Sequence, residues 1–150
     1  MKTIPIIIFL FCTKTFLFGQ DSTHKYDAIL SRALERNIVH PFDYNGGVVG
    51  VNIIKISKKD SLLVFKSLFT TDKKFEILDY QRVIKDVNRR CSKLVESPLE
   101  LIIPIWFQYG DDRLTSDDQI KVDKKINHLK KKGKIISSFP ISIVKFEIVR

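Results

Sequence analysis

The sequence has few of the residues that build stapled or repetitive proteins. Its 150 residues include only two cysteines, five prolines and six glycines. These counts exclude a disulfide scaffold, a collagen-like repeat and a linker rich in proline or glycine. The sequence also lacks the Gly-x-Ser-x-Gly motif of serine hydrolases and the lysine-bearing glycine loop that binds phosphates. We therefore predict no catalytic residues, no cofactor and no enzymatic activity.

The composition is that of a folded protein with a basic excess. Hydrophobic residues make up 44% of the chain and charged residues 29%, and 26 Lys and Arg outnumber 17 Asp and Glu to give a net charge of +9. This balance differs from that of a disordered chain, which has too little apolar surface to bury. The length fits one domain, and we treat residues 20–150 as a single unit.

Residues 1–19 have the layout of a secretory signal peptide. A lysine precedes an apolar run from Ile4 to Cys12, and Gly19 is a small residue at the start of a polar segment. The run is shorter than the roughly 20 residues of a membrane-spanning helix. We predict cleavage after Gly19 and a periplasmic or secreted product, with an uncleaved inner-membrane anchor as the alternative. Because Phe11 precedes Cys12, the segment has no lipobox.

Three segments show the apolar spacing of helices, with one stripe every three or four residues. The first spans Asp21–Asn37 and the second begins at Asp79. The third begins with the capping-box spacing of Ser116 and Gln119 and ends at Lys132, before a glycine. Its apolar stripe has only three members, so we expect this helix to pack thinly.

Runs rich in β-branched residues predict four strands. These runs cover residues 48–56, 62–70, 99–109 and 141–148. The first two flank a short polar turn and predict a hairpin, with a bulge where the alternation slips at Ile53 and Ile54. Pro104 lies inside the third strand and has no N–H to donate, which predicts an edge or bulged position. The fold class is α+β, a small antiparallel sheet with an N-terminal helix and a C-terminal helix–strand extension.

The residues that most often bind metals or act as nucleophiles are scattered. His24, His40 and His128 share no helix face, which argues against a metal site, and we predict none. Cys91 lies on the apolar stripe of the second helix, where a lone cysteine behaves as a small hydrophobic residue. We predict that it is buried and unreactive.

The third helix carries the one feature that suits an anionic partner. Its basic residues are Lys121, Lys124, Lys125, Lys131 and Lys132. A solvated face is the commoner meaning of such a run, and attachment to an anionic membrane surface is the alternative. Export argues against nucleic acid as the partner.

A series of short motifs crosses the middle of the chain. His40-Pro41 precedes a glycine-led strand at 47–53, Leu78-Asp79 opens a helix, and the sequence LIIPIWF at 101–107 closes the series. With these motifs, roughly residues 38–109 resemble the C-terminal domain of TonB-like proteins. Two positions depart from the family pattern: His40 stands where Tyr is usual, and Asp60-Ser61 replaces the Asp-Gly of the hairpin turn.

The resemblance implies a way of binding a partner. In the family, the last strand of the small sheet offers an edge to which a receptor peptide pairs by strand addition. The matching residues here are Leu99, Leu101, Ile103, Pro104, Ile105 and Phe107. The family's energy transduction uses an uncleaved membrane anchor and a long spacer, whereas here the N-terminal segment looks cleavable and the spacer is absent. We therefore expect a non-enzymatic protein-interaction module of the cell envelope. The alternatives are docking to peptides of outer-membrane TonB-dependent transporters and a small exported enzyme of unknown chemistry.

Residues 110–150 extend beyond the family pattern. We predict that the strand at 141–148 pairs beside Leu99–Phe107 or covers it. Either arrangement would close the peptide-accepting edge within the monomer.

Overall fold

A computed structural model of the chain describes residues 25–38, 49–76 and 81–145. Helix α1 covers residues 25–35 of this part. The other elements, in chain order, are β1 (Gly50–Lys59), β2 (Leu62–Thr70), a short 3-10 helix (Lys73–Phe75), α2 (Gln81–Cys91), β3 (Glu100–Tyr109), α3 (Ser116–Lys131) and β4 (Ile141–Lys145). The predicted α+β class is confirmed, with a helix first and a helix and strand last.

The four strands form one sheet in the order β2-β1-β3-β4. The first three pair antiparallel, as expected, whereas β4 runs parallel to β3 and makes the sheet mixed. The reason is the connection: β3 and β4 are joined through α3, and a helical crossover returns the chain in the same direction. The extension strand therefore pairs beside β3, as predicted.

The β1–β2 hairpin follows its sequence pattern closely. β2 has the predicted bounds, and the register shifts between Ile53 and Ile54, where the bulge was expected. β1 runs on to Lys59, beyond its predicted end, because the turn needs only two residues. Asp60 adopts a positive φ of 55° in that turn, a conformation that Asp tolerates better than most residues.

Helices α1 and α2 cover one face of the sheet, which we call the α1/α2 face. Each helix buries a stripe of residues spaced four apart, as the periodicity predicts. The stripes are Tyr26, Leu30 and Leu34 on α1 and Val83, Val87 and Cys91 on α2. They pack against the inward side chains of β1 and β3 to form the larger of two hydrophobic clusters.

Helix α3 covers part of the opposite face, which we call the α3 face. Only Val122 and Leu129 of this helix are buried, so the thin packing is confirmed. The predicted cap is wrong by one residue: Thr115, not Ser116, is the N-cap, and its Oγ1 accepts a hydrogen bond of 3.2 Å from the Asp118 N–H. Gly133 follows the helix with a φ of 68°.

The prediction that Pro104 places its strand at an edge is wrong, because β3 lies between β1 and β4. Ile102 aims its backbone toward β4, receiving a hydrogen bond from the Ser137 N–H and donating one to the Ile135 carbonyl. Backbone groups alternate along a strand, so the missing N–H of Pro104 faces the same way. There the ladder is interrupted between the bridge at Ile136 and the start of β4. A central strand can therefore hold this proline without losing a hydrogen bond.

Several sequence predictions concern residues outside the described ranges. They include the signal peptide at 1–19, His24, His40-Pro41 and the helix start at Asp79. The end of the predicted last strand, residues 146–148, also lies outside them.

Candidate functional site

The six residues expected to form a peptide-accepting edge lie inside the protein. Leu99, Leu101, Ile103, Ile105 and Phe107 belong to the cluster on the α1/α2 face, and Pro104 is also buried. On the outer side of β3, residues 105–109 pair with β4. These side chains build the core, so in this structure they offer no surface to a partner.

The end of the sheet is instead formed by β4. In a parallel ladder alternate residues aim their backbone groups at the neighbouring strand, and the Ile102 contacts fix the phase of that alternation. Ile141 and Ile143 therefore aim at β3, while the N–H and C=O groups of Ser142 and Val144 point away from it. No strand of the described part of the chain lies beyond β4.

Apolar side chains accompany this edge. Phe139, just before β4, is 51% exposed, and Val144 is 43% exposed. Residues 139–144 have the sequence FPISIV and carry no charge. Natural proteins usually protect a sheet edge with charged residues or bulges. Along residues 139–144 this edge has no charged residue and no bulge, and its protection is limited to the short length of β4 and to Pro140. We call it the β4 edge.

The opposite edge, β2, is protected. The side-chain amide of Asn88 on α2 makes two hydrogen bonds to the backbone of Leu63. Its Oδ1 accepts from the Leu63 N–H at 2.7 Å, and its Nδ2 donates to the Leu63 carbonyl at 3.0 Å. The bulge and the exposed Lys66 protect the remainder of the strand. Of the two sheet edges, β4 is therefore the one whose outer side is left without a neighbouring strand or a side-chain hydrogen bond by the described residues.

Replacing Asn88 tests the protection of β2. We expect Asn88→Ala to lower the free energy of unfolding by about 1–2 kcal/mol, because it leaves both Leu63 backbone groups without their partner. The exposed neighbour Arg89 is the control, since its ion pair with Asp86 at 3.4 Å lies at the surface. Equal losses for Asn88→Ala and Arg89→Ala in urea denaturation would contradict the assignment.

A groove lies on the α3 face at the same end of the sheet. It has a volume of about 580 Å³, and its lining includes Val49, Trp106, Gln108, Leu114, Gln119 and Ile120. Gln108 is the register partner of Val144, so the groove adjoins the β4 edge. Its lining combines apolar side chains with amide groups and with the charged Asp112 and Arg113, a mixture that suits the side chain of a bound peptide.

A buried acid joins α1 to the segment before β4. Asp27 is 2% exposed, and its carboxylate accepts hydrogen bonds from the Ser138 N–H at 2.8 Å, from the Ser31 hydroxyl at 3.4 Å and from the Ser137 hydroxyl. Ser31 also contacts the Phe139 carbonyl at 3.1 Å. A nucleophilic serine needs a neighbouring general base whose own side chain a third group orients. Here the carboxylate is enclosed by donors, and the cluster ties two distant segments together.

Sequence reasoning missed Asp27, although a signal was available. Asp27 precedes Leu30 by three residues and Leu34 by seven, so it lies on the buried stripe of α1. A charged residue in such a stripe needs a partner in the core. The partner, Ser137, is 110 residues away and could not be identified from the helix pattern.

A second polar contact holds the same connecting segment. Lys134 pairs with Glu100 on β3 at 2.7 Å, and Lys55 on β1 lies 3.9 Å from the same carboxylate. The close ion pair with Lys134, with a smaller contribution from the charge of Lys55, holds the pKa of Glu100 below its ordinary value. The connection between α3 and β4 is thus fastened to both β3 and α1.

The predicted lysine patch lies at the surface of α3. Lys121 forms an ion pair with Asp118 at 2.8 Å, which raises the pKa of this lysine and lowers that of the aspartate. The other four members, Lys124, Lys125, Lys131 and Lys132, have no ion pair with any described residue. The structure therefore separates Lys121 from the rest of the patch.

Cys91 is 2% exposed, and burial raises the pKa of its thiol. The prediction of a buried cysteine is confirmed, and its chemistry is that of a neutral thiol at neutral pH. His128 is exposed on α3. In the described ranges, no three His, Cys, Asp or Glu side chains are placed to hold a metal ion.

The comparisons with known proteins return nothing for this chain: no family model, no curated protein and no solved structure matches it. The similarity to the TonB C-terminal domain therefore rests on the motifs alone. Among the described helices, none combines the length and apolar character of a membrane span.

Proposed function

We propose that this chain is a non-enzymatic protein-interaction module of the cell envelope, exported with the help of residues 1–19, which binds an extended peptide along the β4 edge. The observation that carries the proposal is the difference between the two sheet edges. Asn88 hydrogen-bonds the outward backbone groups of Leu63 on β2, whereas no strand of the described part of the chain lies beside the outward backbone groups of Ser142 and Val144.

The binding mode follows from the backbone of β4. A peptide added to this edge would exchange main-chain hydrogen bonds with Ser142 and Val144. Its alternate side chains would lie on the two faces of the sheet. Those on the α3 face would extend the row formed by Gln108 and Val144, beside the groove that contains Trp106 and Ile120. The partner is therefore a segment with apolar residues at alternate positions.

The TonB-like resemblance supports the same class of function, but the strand that binds the peptide differs. In that family the peptide pairs with the strand that corresponds to β3. Here β4 occupies that position, so a partner strand would add one place further out. Docking to a transporter peptide is the narrower form of this proposal.

The test separates backbone pairing from other contacts. A displayed library of random peptides is selected against residues 20–150, and the enriched peptides are measured for affinity. We expect Ser142→Pro to weaken binding about ten-fold, because it removes an outward N–H and its hydrogen bond. Ser142→Ala keeps that N–H and should bind normally.

Hydrogen exchange of the complex supplies the second measurement. A bound peptide should slow exchange of the Ser142 and Val144 amides. Enriched peptides that protect other amides, or that bind Ser142→Pro as well as the parent chain, would overturn the proposed edge. A selection that enriches no peptide would overturn the proposed function itself.

A further inference from the structure

We infer that the C-terminal half of α3 is a docking surface for membranes that contain anionic phospholipid. This inference does not depend on the β4 edge and rests on the lysines of α3, with Ile120 as the one residue shared with the groove. From position 124 to position 134 the chain has six lysines and no Asp or Glu. We call the five on or just after the helix, leaving aside Lys134, the lysine cluster: Lys124, Lys125, Lys130, Lys131 and Lys132.

The lysine cluster has no counter-charge within the described part of the protein. The ion pairs there use other basic residues, namely Lys55, Lys74, Arg89, Lys121 and Lys134. Four members of the cluster are exposed and Lys125 is half-buried. Four neighbouring positive charges that repel one another therefore face solvent, with a fifth partly exposed, and an external anionic surface would relieve that repulsion.

Two members of the lysine cluster are placed to meet a flat partner. Lys124 and Lys131 follow the buried Val122 and Leu129 by two residues each, which places them about 200° around the helix, away from the sheet. The cluster extends along about 12 Å of the helix axis. Ile120, which is 51% exposed, lies one turn before Lys124 on the same outer side.

These features favour a lipid surface over nucleic acid. Proteins that bind single strands combine basic residues with aromatic side chains on which bases stack. Residues 116–134 contain no Phe, Tyr or Trp. The exposed Ile120 supplies one apolar contact beside the lysines, since the apolar stripe of α3 is buried against the sheet. The affinity for the bilayer would come mainly from charge, since each lysine near an anionic bilayer contributes roughly a five-fold gain in partitioning.

The experiment measures retention of residues 20–150 on vesicles, so that the apolar segment 1–19 makes no contribution. Vesicles of phosphatidylcholine alone are compared with vesicles that also contain phosphatidylglycerol, at low and at high salt. We expect binding only to the anionic vesicles, with loss at high salt because screening shortens the range of the attraction.

Two variants of equal net charge identify the surface. In the first, all five residues of the lysine cluster are replaced by Gln, and we expect binding to fall by at least about 100-fold. The second replaces five exposed lysines elsewhere by Gln and should bind nearly as well as the parent chain. These are Lys59, Lys66, Lys73, Lys85 and Lys93. Equal losses in the two variants would overturn the inference, since net charge alone would then explain binding.

Two further outcomes decide the remaining alternatives. Retention of a short DNA duplex more tightly than anionic vesicles at the same salt would overturn the assignment to lipid. If the five-residue variant melts early, Lys124→Glu with Lys131→Glu replaces it, because both side chains point away from the sheet. Unchanged vesicle binding by that pair would contradict the inference.

Discussion

Gly50→Ala is expected to lower the free energy of unfolding by about 3 kcal/mol, a large loss for the addition of one methyl group. A Cβ on Gly50 would lie 2.5 Å from Cδ2 of the Phe75 ring and 2.7 Å from Oγ1 of Thr71. Both distances are well inside van der Waals contact. The added methyl group can be accommodated only if β1 or the Phe75 ring moves.

The ring has no free space to move into. Phe75 is 1% exposed and stacks on Phe107 of β3, with the ring centroids 4.8 Å apart. Its carbonyl also accepts a hydrogen bond of 2.7 Å from the buried side chain of Asn52. Displacing Phe75 would therefore disturb both the aromatic pair and a buried polar contact. Close-packed interiors transmit such strain rather than absorb it.

Urea denaturation followed by circular dichroism measures this prediction. Gly110→Ala is the matched control: that position has a φ of 52° but nothing within 4 Å of an added Cβ, so only backbone strain of about 1 kcal/mol is expected. Phe75→Leu should partly rescue Gly50→Ala: the double variant should lose less free energy of unfolding than the two single variants lose together. Equal losses at Gly50 and Gly110, or strict additivity with Phe75→Leu, would contradict the packing explanation.

The local elements of this fold were accessible from the sequence because their causes are local. The alternation of β2 gave its bounds, and the slip at Ile53-Ile54 placed the bulge. The stripes of α1 and α2 were read from a spacing of three and four residues. The same kind of reasoning located the lysines of α3, since a charged face needs no tertiary contact to exist.

The position of β3 was not accessible in the same way. A proline inside a strand argues for an edge whenever its missing N–H would leave a ladder incomplete. Here the neighbouring segment of the same chain leaves the sheet opposite Pro104, between the bridge at Ile136 and the start of β4. That gap belongs to a segment about 30 residues further along the chain. Whether a proline forces its strand to an edge therefore depends on the partner strand opposite it, which the local sequence does not show.

The β4 edge shows the same limit for function. Sequence patterns identified a last strand and its pairing beside β3, but they did not distinguish the two edges of the finished sheet. The protection of β2 depends on Asn88, a polar residue of α2 that contacts a strand 25 positions earlier. Which edge is open is therefore a property of tertiary contacts, and the candidate site moves from β3 to β4.

Asp27→Ala is expected to lower the free energy of unfolding by about 3 kcal/mol, and its effect should be concentrated at β4. The variant removes a buried acceptor and leaves the Ser138 N–H and the hydroxyls of Ser31 and Ser137 without it. Hydrogen bonds to a charged group are stronger than neutral ones, so the loss exceeds that of an ordinary buried contact. Asp27→Asn should lose less, since one acceptor oxygen remains.

Hydrogen exchange distinguishes a local loosening from a general loss of stability. Residues 137–139 leave the sheet where the β3–β4 ladder is interrupted, and Asp27 fixes that excursion to α1. Without this contact, the Ile143 amide, which aims at β3, should exchange faster than amides of the β1–β3 ladder under native conditions. Asp123→Ala is the control, because Asp123 is exposed and contacts only Gln119 at 3.1 Å. Uniform acceleration across the sheet would mean that Asp27 stabilises the whole domain without holding β4 in particular. If β4 is loosened, peptide binding at its outer edge should weaken as well, because strand addition requires an ordered strand to pair with.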